Sequence, residues 1–156
     1  MTIAVHIVQF AQTKVACIEH RGSPTEEYAT TARLIAWRVR NRLPPSRHAT
    51  YGLHYTDYRT IEPSLHRVDF CVATDEEIAP NAEGVVAKTI PACRCAVVRH
   101  QGSGKNNLSA FHLWDRWLPA SGEQPSGLPM IFHYVNVGPD VQASDMVIDV
   151  YLPLLD

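Results

Sequence analysis

The chain has no apolar run approaching the roughly 18 residues needed to cross a bilayer, and its first residues lack the charged-then-apolar order of a secretion signal. A cytoplasmic protein is expected. No sign of charge dominates either: 14 basic and 16 acidic residues are interspersed for a net charge of -2. Without a basic stripe, neither nucleic acid nor a membrane surface is an expected partner. Arg33, Arg38, Arg40 and Arg42 come nearest to one, and on a helix they read as a solvated face. Cysteine is scarce and poorly spaced for metal, since Cys17, Cys71, Cys93 and Cys95 form no C-x-x-C and have no ligand-spaced histidine beside them. Reduced, packed thiols are expected, with Cys93 and Cys95 on one strand face, and neither metal nor cofactor. Gly102-Ser103-Gly104-Lys105 lacks the full phosphate-loop pattern and reads as a turn. His20 and His100 have no nucleophile at a readable spacing, which argues against a hydrolytic triad.

What is present is a repeat. Ala16, Ile18, His20, Gly22 and Ser23 recur eighty residues on as Ala96, Val98, His100, Gly102 and Ser103, and Trp37 and Asp69 recur as Trp117 and Asp149. With a one-residue slip, His54-Tyr55 matches His133-Tyr134. The period is too long for a solenoid unit of roughly 20–50 residues and indicates a duplicated half-domain. At 156 residues, one domain of two fused modules is expected over 1–156, with modules 1–75 and 85–156 and a connector over 76–84 that is acidic and contains proline.

Each module reads as βαββ. Ile3–Phe10 and Lys14–His20 alternate as a bent strand, and Gly22 ends it. Ser23-Pro24-Thr25-Glu26 then supplies an N-cap, a proline at the first helical position and an acid three residues on. The helix is predicted over about Pro24–Arg42, with Tyr28, Ala32, Ile35, Ala36, Val39 and Leu43 as its buried stripe, until Pro44-Pro45 stop it. Tyr51–Tyr58 and Arg67–Thr74 follow as antiparallel strands. The second module repeats the plan: a strand over Val85–Gln101 bent at Pro91, a helix capped by Asn106 or Asn107 and running through Leu118, a loop over Pro119–Pro129, and strands over Met130–Val137 and Asp145–Leu152. The predicted class is α+β: duplicated βαββ modules with pseudo-twofold symmetry, mostly antiparallel sheet with two helices, and a cleft at the module junction suited to a ligand.

Asp149 stands in the apolar strand Val147–Leu152, where alternation puts it on one face with Tyr151. A carboxylate there is costly unless it is paired, solvated or met by a ligand. Phe132, Tyr134 and Asn136 share a face, and a phenol beside a carboxylate can orient a ligand or pass a proton. His133 points the other way and reads as structural, as does His54. Trp114 and Trp117 lie three apart on the second helix, and Trp37 is the twin of Trp117. Such rings form core or provide flat walls for planar and cationic molecules. Tyr55 enters as the repeat partner of Tyr134.

Val97-Val98-Arg99-His100-Gln101-Gly102, Trp117-Leu118-Pro119-Ala120-Ser121-Gly122, Tyr134-x-Asn136 and Ile148-Asp149-Val150-Tyr151-Leu152-Pro153-Leu154 together resemble the GyrI-like (gyrase-inhibitory protein) small-molecule-binding domain, also called the bacterial transcription-activator effector-binding domain. The resemblance implies two βαββ modules about a pseudo-twofold axis and a cleft for lipophilic, often cationic molecules. It implies a stand-alone member that sequesters or senses toxic compounds. Two other roles found among relatives are protection of DNA gyrase and hydrolysis of cyclopropane-bearing or other strained molecules, with Asp149 or Tyr134 as the acid-base group. Together with the residue-level reading, the ligand-binding residues expected are Asp149, Tyr134, Trp117, Trp114, Tyr151, Phe132, Trp37 and Tyr55. The sequence departs from the family pattern twice. Asp149 replaces the usual final-strand glutamate, with an arm shorter by roughly 1.5 Å, and Phe132 stands where relatives often carry a second acid.

Overall fold

A computed structural model describes residues 4–102 and 108–156. The strands are β1 (His6–Phe10), β2 (Thr13–Arg21), β3 (Thr50–His54), β4 (Arg67–Ala73), β5 (Val86–Ile90), β6 (Cys93–Gln101), β7 (Met130–Tyr134) and β8 (Val147–Pro153). They form one antiparallel sheet in the order β1-β6-β8-β7-β3-β4-β2-β5. Helix α1 (Glu27–Arg40) follows β2 through a 3-10 turn over Pro24–Glu26, and the Ser23 hydroxyl accepts from the Thr25 amide, so the predicted cap is present. The second helix is α2 (Leu108–His112), a π-helical turn over Leu113–Trp117, and α3 (Leu118–Ser121), which ends at Gly122 in the left-handed region that favours glycine. It runs into the segment predicted as loop. The proposed caps Asn106 and Asn107 lie outside the described residues.

Every strand of the second half begins and ends eighty residues after its counterpart: β5 after β1, β6 after β2, β7 after β3 and β8 after β4. This overturns the one-residue slip. The equivalent of His54 is Tyr134, and that of His133 is Leu53. Gly52 pairs directly with Phe132, its own repeat equivalent, so the pseudo-twofold axis passes between them at the β3·β7 seam. The halves are interlocked, because β1 pairs with β6 and β5 with β2. The predicted bent strands are therefore strands that cross from one half of the sheet to the other.

Helix α1 covers Ala16, Ile18, Val68, Phe70 and Val72 with Leu34 and Trp37. The second helix covers Ala96, Val98, Ile148, Val150 and Leu152 with Ala110 and Leu113. The opposite face carries Phe10, Cys17, Leu53, Cys71, Cys95 and Ile131. Phe10 and Tyr51 touch at 5.9 Å there, although their strands are four places apart, about 19 Å in a flat sheet. The sheet therefore curls toward the helix-free face. All four cysteines are free thiols, and Cys93 and Cys95 share this face with their sulfurs 3.5 Å apart.

The buried stripe of α1 differs from the prediction. Thr30, Leu34, Trp37 and Arg38 face the sheet, while Tyr28, Ile35 and Val39 are 76%, 56% and 71% exposed, and Ala32 and Ala36 are also exposed. Of the predicted stripe only Leu43 is buried. The helix is turned by roughly half a revolution because the Arg38 guanidinium bonds inward to the carbonyls of Leu43 and His48 and to Thr50. Those bonds satisfy a buried charge that helical periodicity alone assigns to water.

Candidate functional site

A cleft of about 650 Å³ opens between α1 and α2. Its floor is the β3·β7 seam with the adjacent β4: His54 from β3, Phe132 and Tyr134 from β7, Phe70 from β4. These side chains share the helix side by strand alternation and cross-strand register. Pro24, Thr25, Glu27, Tyr28 and Thr31 form one wall, Ala110 and Phe111 the other, and Tyr58 and His66 close an end. Gly52 makes the floor possible. A Cβ there would lie 3.1 Å from both His54 Nε2 and Tyr134 Oη, so only glycine lets an imidazole and a phenol converge over the axis. An adjoining recess of about 350 Å³ shares His54, Tyr58, Ala110, Phe111 and Phe132 and extends to Trp114 and Leu128.

The cleft is mostly aromatic, with few polar atoms. His54 stacks on Phe132 at 3.8 Å, and Tyr58 meets Phe111 at 5.8 Å. His54 Nε2 and His66 Nε2 are buried and have no hydrogen-bond partner among the described residues, although His66 Nδ1 is held by Thr56 at 2.9 Å. Burial lowers the pKa of His54 to about 3, aided by the charge of His66, and burial also lowers that of His66, so both imidazoles are neutral near pH 7. The Glu27 carboxylate lies 3.7 Å from His66 Nε2. Burial raises its pKa, partly offset by His20. Burial also pushes the Tyr134 phenol well above the usual tyrosine value. The cleft thus holds one desolvated carboxylate and two unpartnered nitrogens among ring faces.

Asp149 is not in this cleft. Across the β7·β8 ladder it pairs with His133, while Tyr134 pairs with Ile148. Directly paired residues project to the same side, so Asp149 and Tyr134 lie on opposite faces and the phenol-carboxylate pairing drawn from the sequence is not assembled. Asp149 lines a separate groove of about 570 Å³ on the helix-free face with Phe10, Tyr51, His133 and Tyr151. It accepts two bonds from Arg99, at 2.8 and 3.0 Å. Among the other candidates, Phe132 and Tyr134 are in the cleft and Trp114 borders the recess. Trp117 packs against the second core and Trp37 is buried beneath α1. Tyr55 borders the recess, but its hydroxyl is engaged by Asp69 and Lys88. Sequence reasoning missed Glu27, His54, His66, Tyr58, Phe70 and Phe111. Only the corrected register, which makes His54 the equivalent of Tyr134, could have exposed one of them.

The GyrI-like small molecule binding domain is recognised across residues 3–155. The chain belongs to this family. The GyrI-like chain is 34% identical over 156 residues to the probable transcriptional regulator YgiV of Escherichia coli K12, covering 99% of this chain and 98% of that one. Its fold matches the EcmrR C-terminal domain with a TM-score of 0.78 at 15% identity, over 99% of each chain. It also matches SAV2435 bound to tetraphenylphosphonium, with a TM-score of 0.61 at 11% identity, over 99% of this chain and 94% of that one. The GyrI-like domain is a small-molecule-binding domain. No helix among its described residues is long and apolar enough to cross a membrane.

Proposed function

We propose that this GyrI-like protein binds lipophilic cations in the cleft between α1 and α2, with Glu27 as the counter-charge, and that it acts in the cytoplasm to sense or sequester them. The observation that carries the reading is the half-buried Glu27 carboxylate beside neutral His66, in a cleft otherwise walled by Phe70, Phe111, Phe132, Tyr58 and Tyr134. A desolvated carboxylate facing a neutral imidazole has no full counter-charge there, and a ligand cation supplies one. The aromatic faces add cation-π attraction and apolar contact. His54 and His66 can each exchange one hydrogen bond with a polar atom of the ligand. Because Asp149 is already paired to Arg99 on the other face, it takes no part in this site.

The test is a tryptophan-fluorescence titration with tetraphenylphosphonium and a neutral compound of the same shape, with Trp114 at the recess as reporter. Glu27→Gln is expected to weaken cation binding about tenfold, the scale of a charge-assisted contact, and to leave the neutral compound unaffected. Cation binding to the wild type is expected to weaken as pH falls through the raised pKa of Glu27, because the protonated acid carries no charge. Asp149→Asn is expected to change neither titration. Weakening by Asp149→Asn with no effect of Glu27→Gln would move the site to the helix-free groove. Absence of saturable binding for every ligand class would favour a protein partner such as DNA gyrase.

A further inference from the structure

We propose that the outer face of α1 is a self-association surface on which a second copy of this chain packs antiparallel. Tyr28, Ala32, Ile35 and Val39 follow one another at spacings of four, three and four, the seam spacing of paired helices. All four are exposed, and the three large ones are 56–76% exposed. Apolar residues at this spacing bury against something in most helices, yet the sheet takes the opposite face of α1 through Leu34 and Trp37. Ala29 and Ala36 flank the seam and are also exposed, so a second backbone can come close.

The occupant follows from how charge is distributed along the helix. Glu26 stands at its N-terminal end, Glu27 being turned into the cleft, and Arg40 and Arg42 stand at its C-terminal end, with Arg40 in a solvent-exposed pair with Glu83. A parallel pair would stack like charge on like charge at both ends. An antiparallel pair sets Glu26 of each copy beside Arg40 and Arg42 of the other, where it can share Arg40 with Glu83, and the twofold symmetry makes both ends identical. With the axis between Ala32 and Ile35, Ala32 faces Ile35 of the second copy and Tyr28 faces Val39, each pair setting a smaller side chain against a larger one. Arg33, near the axis, is drawn aside by the Glu83 carbonyl.

The seam is short. Fourteen helical residues span about 21 Å, so the covered area is well below the roughly 800 Å² per partner of a stable complex. The dimer is therefore weak and concentration-dependent. Tyr28 belongs both to the seam and to the wall of the ligand cleft, so the second copy stands at the cleft mouth.

Sedimentation velocity of the full chain, from about 1 µM to about 1 mM, the range of weak interfaces, tests the proposal. The wild type is expected to shift from monomer to dimer with concentration, while Ile35→Lys stays monomeric throughout. Glu26→Arg and Arg40→Glu are each expected to weaken association about tenfold alone, and an equimolar mixture of the two is expected to restore dimers. Far-ultraviolet circular dichroism confirms that each variant is folded. A wild type that remains monomeric, a dimer indifferent to Ile35→Lys, or a mixture that does not recover would each overturn the proposal.

Discussion

Asp69→Ala is expected to lower the free energy of unfolding by about 3–5 kcal/mol, the range for breaking a buried ion pair by removing one partner, whereas Asp149→Ala at the equivalent position costs about 1 kcal/mol or less. Asp69 is 1% exposed, and its Oδ2 accepts from Lys88 Nζ at 2.6 Å, Tyr55 Oη at 3.0 Å and Arg67 Nη2 at 3.4 Å. Burial works against the charge of Lys88, but its bonds to Asp69 and Tyr55 prevail and raise its pKa. Removing Asp69 leaves that ammonium without its carboxylate. It also removes the side-chain tie from Lys88 on β5 to β4 across β2, leaving this exchanged strand held by its ladder to β2. Asp149 has two good bonds, but both come from Arg99, whose side chain is 64% exposed. Water solvates that guanidinium readily once the partner is gone. Urea denaturation of both variants checks the prediction, and equal losses would refute it.

Acid is expected to destabilise the protein between about pH 6.5 and pH 3, mainly through His54. Burial, with the nearby charge of His66, holds the native pKa of His54 at about 3, while the unfolded chain titrates near 6.5. Below 6.5 the unfolded state therefore takes a proton that the native state refuses. Stability falls by roughly 1.4 kcal/mol per pH unit until the native imidazole protonates, and above 6.5 His54 adds no pH dependence. His66 and His133, both lowered by burial, contribute with the same sign. Glu27, raised by burial, contributes with the opposite sign and offsets part of the loss at the acid end. His54→Phe keeps a ring to stack on Phe132 without a titrating nitrogen, so it is expected to flatten the profile while leaving neutral stability within about 1 kcal/mol. An unchanged slope in this variant would assign the acid sensitivity elsewhere.

The difference between Asp69 and Asp149 also shows where the repeat stops being informative. The eighty-residue period predicts that both acids occupy the same position on the same strand of each half, and they do. It is silent on what stands around them. Lys88 and Tyr55 enclose Asp69, whereas at the positions eighty residues from Arg99 and Tyr151 the chain has Glu19 and Cys71. The two sites therefore diverged in burial while keeping backbone symmetry.

Sequence by itself determined the duplication, through matches eighty residues apart, and the βαββ order, the antiparallel pairing of β3 with β4 and the turn into α1, because these rest on chemistry within a few residues. These are the period-two runs, the glycine break at Gly22 and the Ser23 cap before Pro24. Its family signature also lay in contiguous segments. Tertiary structure alone decided the rest. Alternation says which residues share a face within one strand, but only the pairing of His133 with Asp149 and Tyr134 with Ile148 shows that the phenol and the carboxylate face apart. Helical periodicity assigned the face of Tyr28, Ile35 and Val39 to the core, and the inward bonds of Arg38 selected the opposite face and left those three outside. Glu27, His54 and His66 come from a helix, a strand and a loop spread over forty residues, and they meet only because the sheet brings the β3·β7 seam beneath the gap between two helices. Such a convergence depends on register and docking, which are set by long-range contacts that no local spacing encodes.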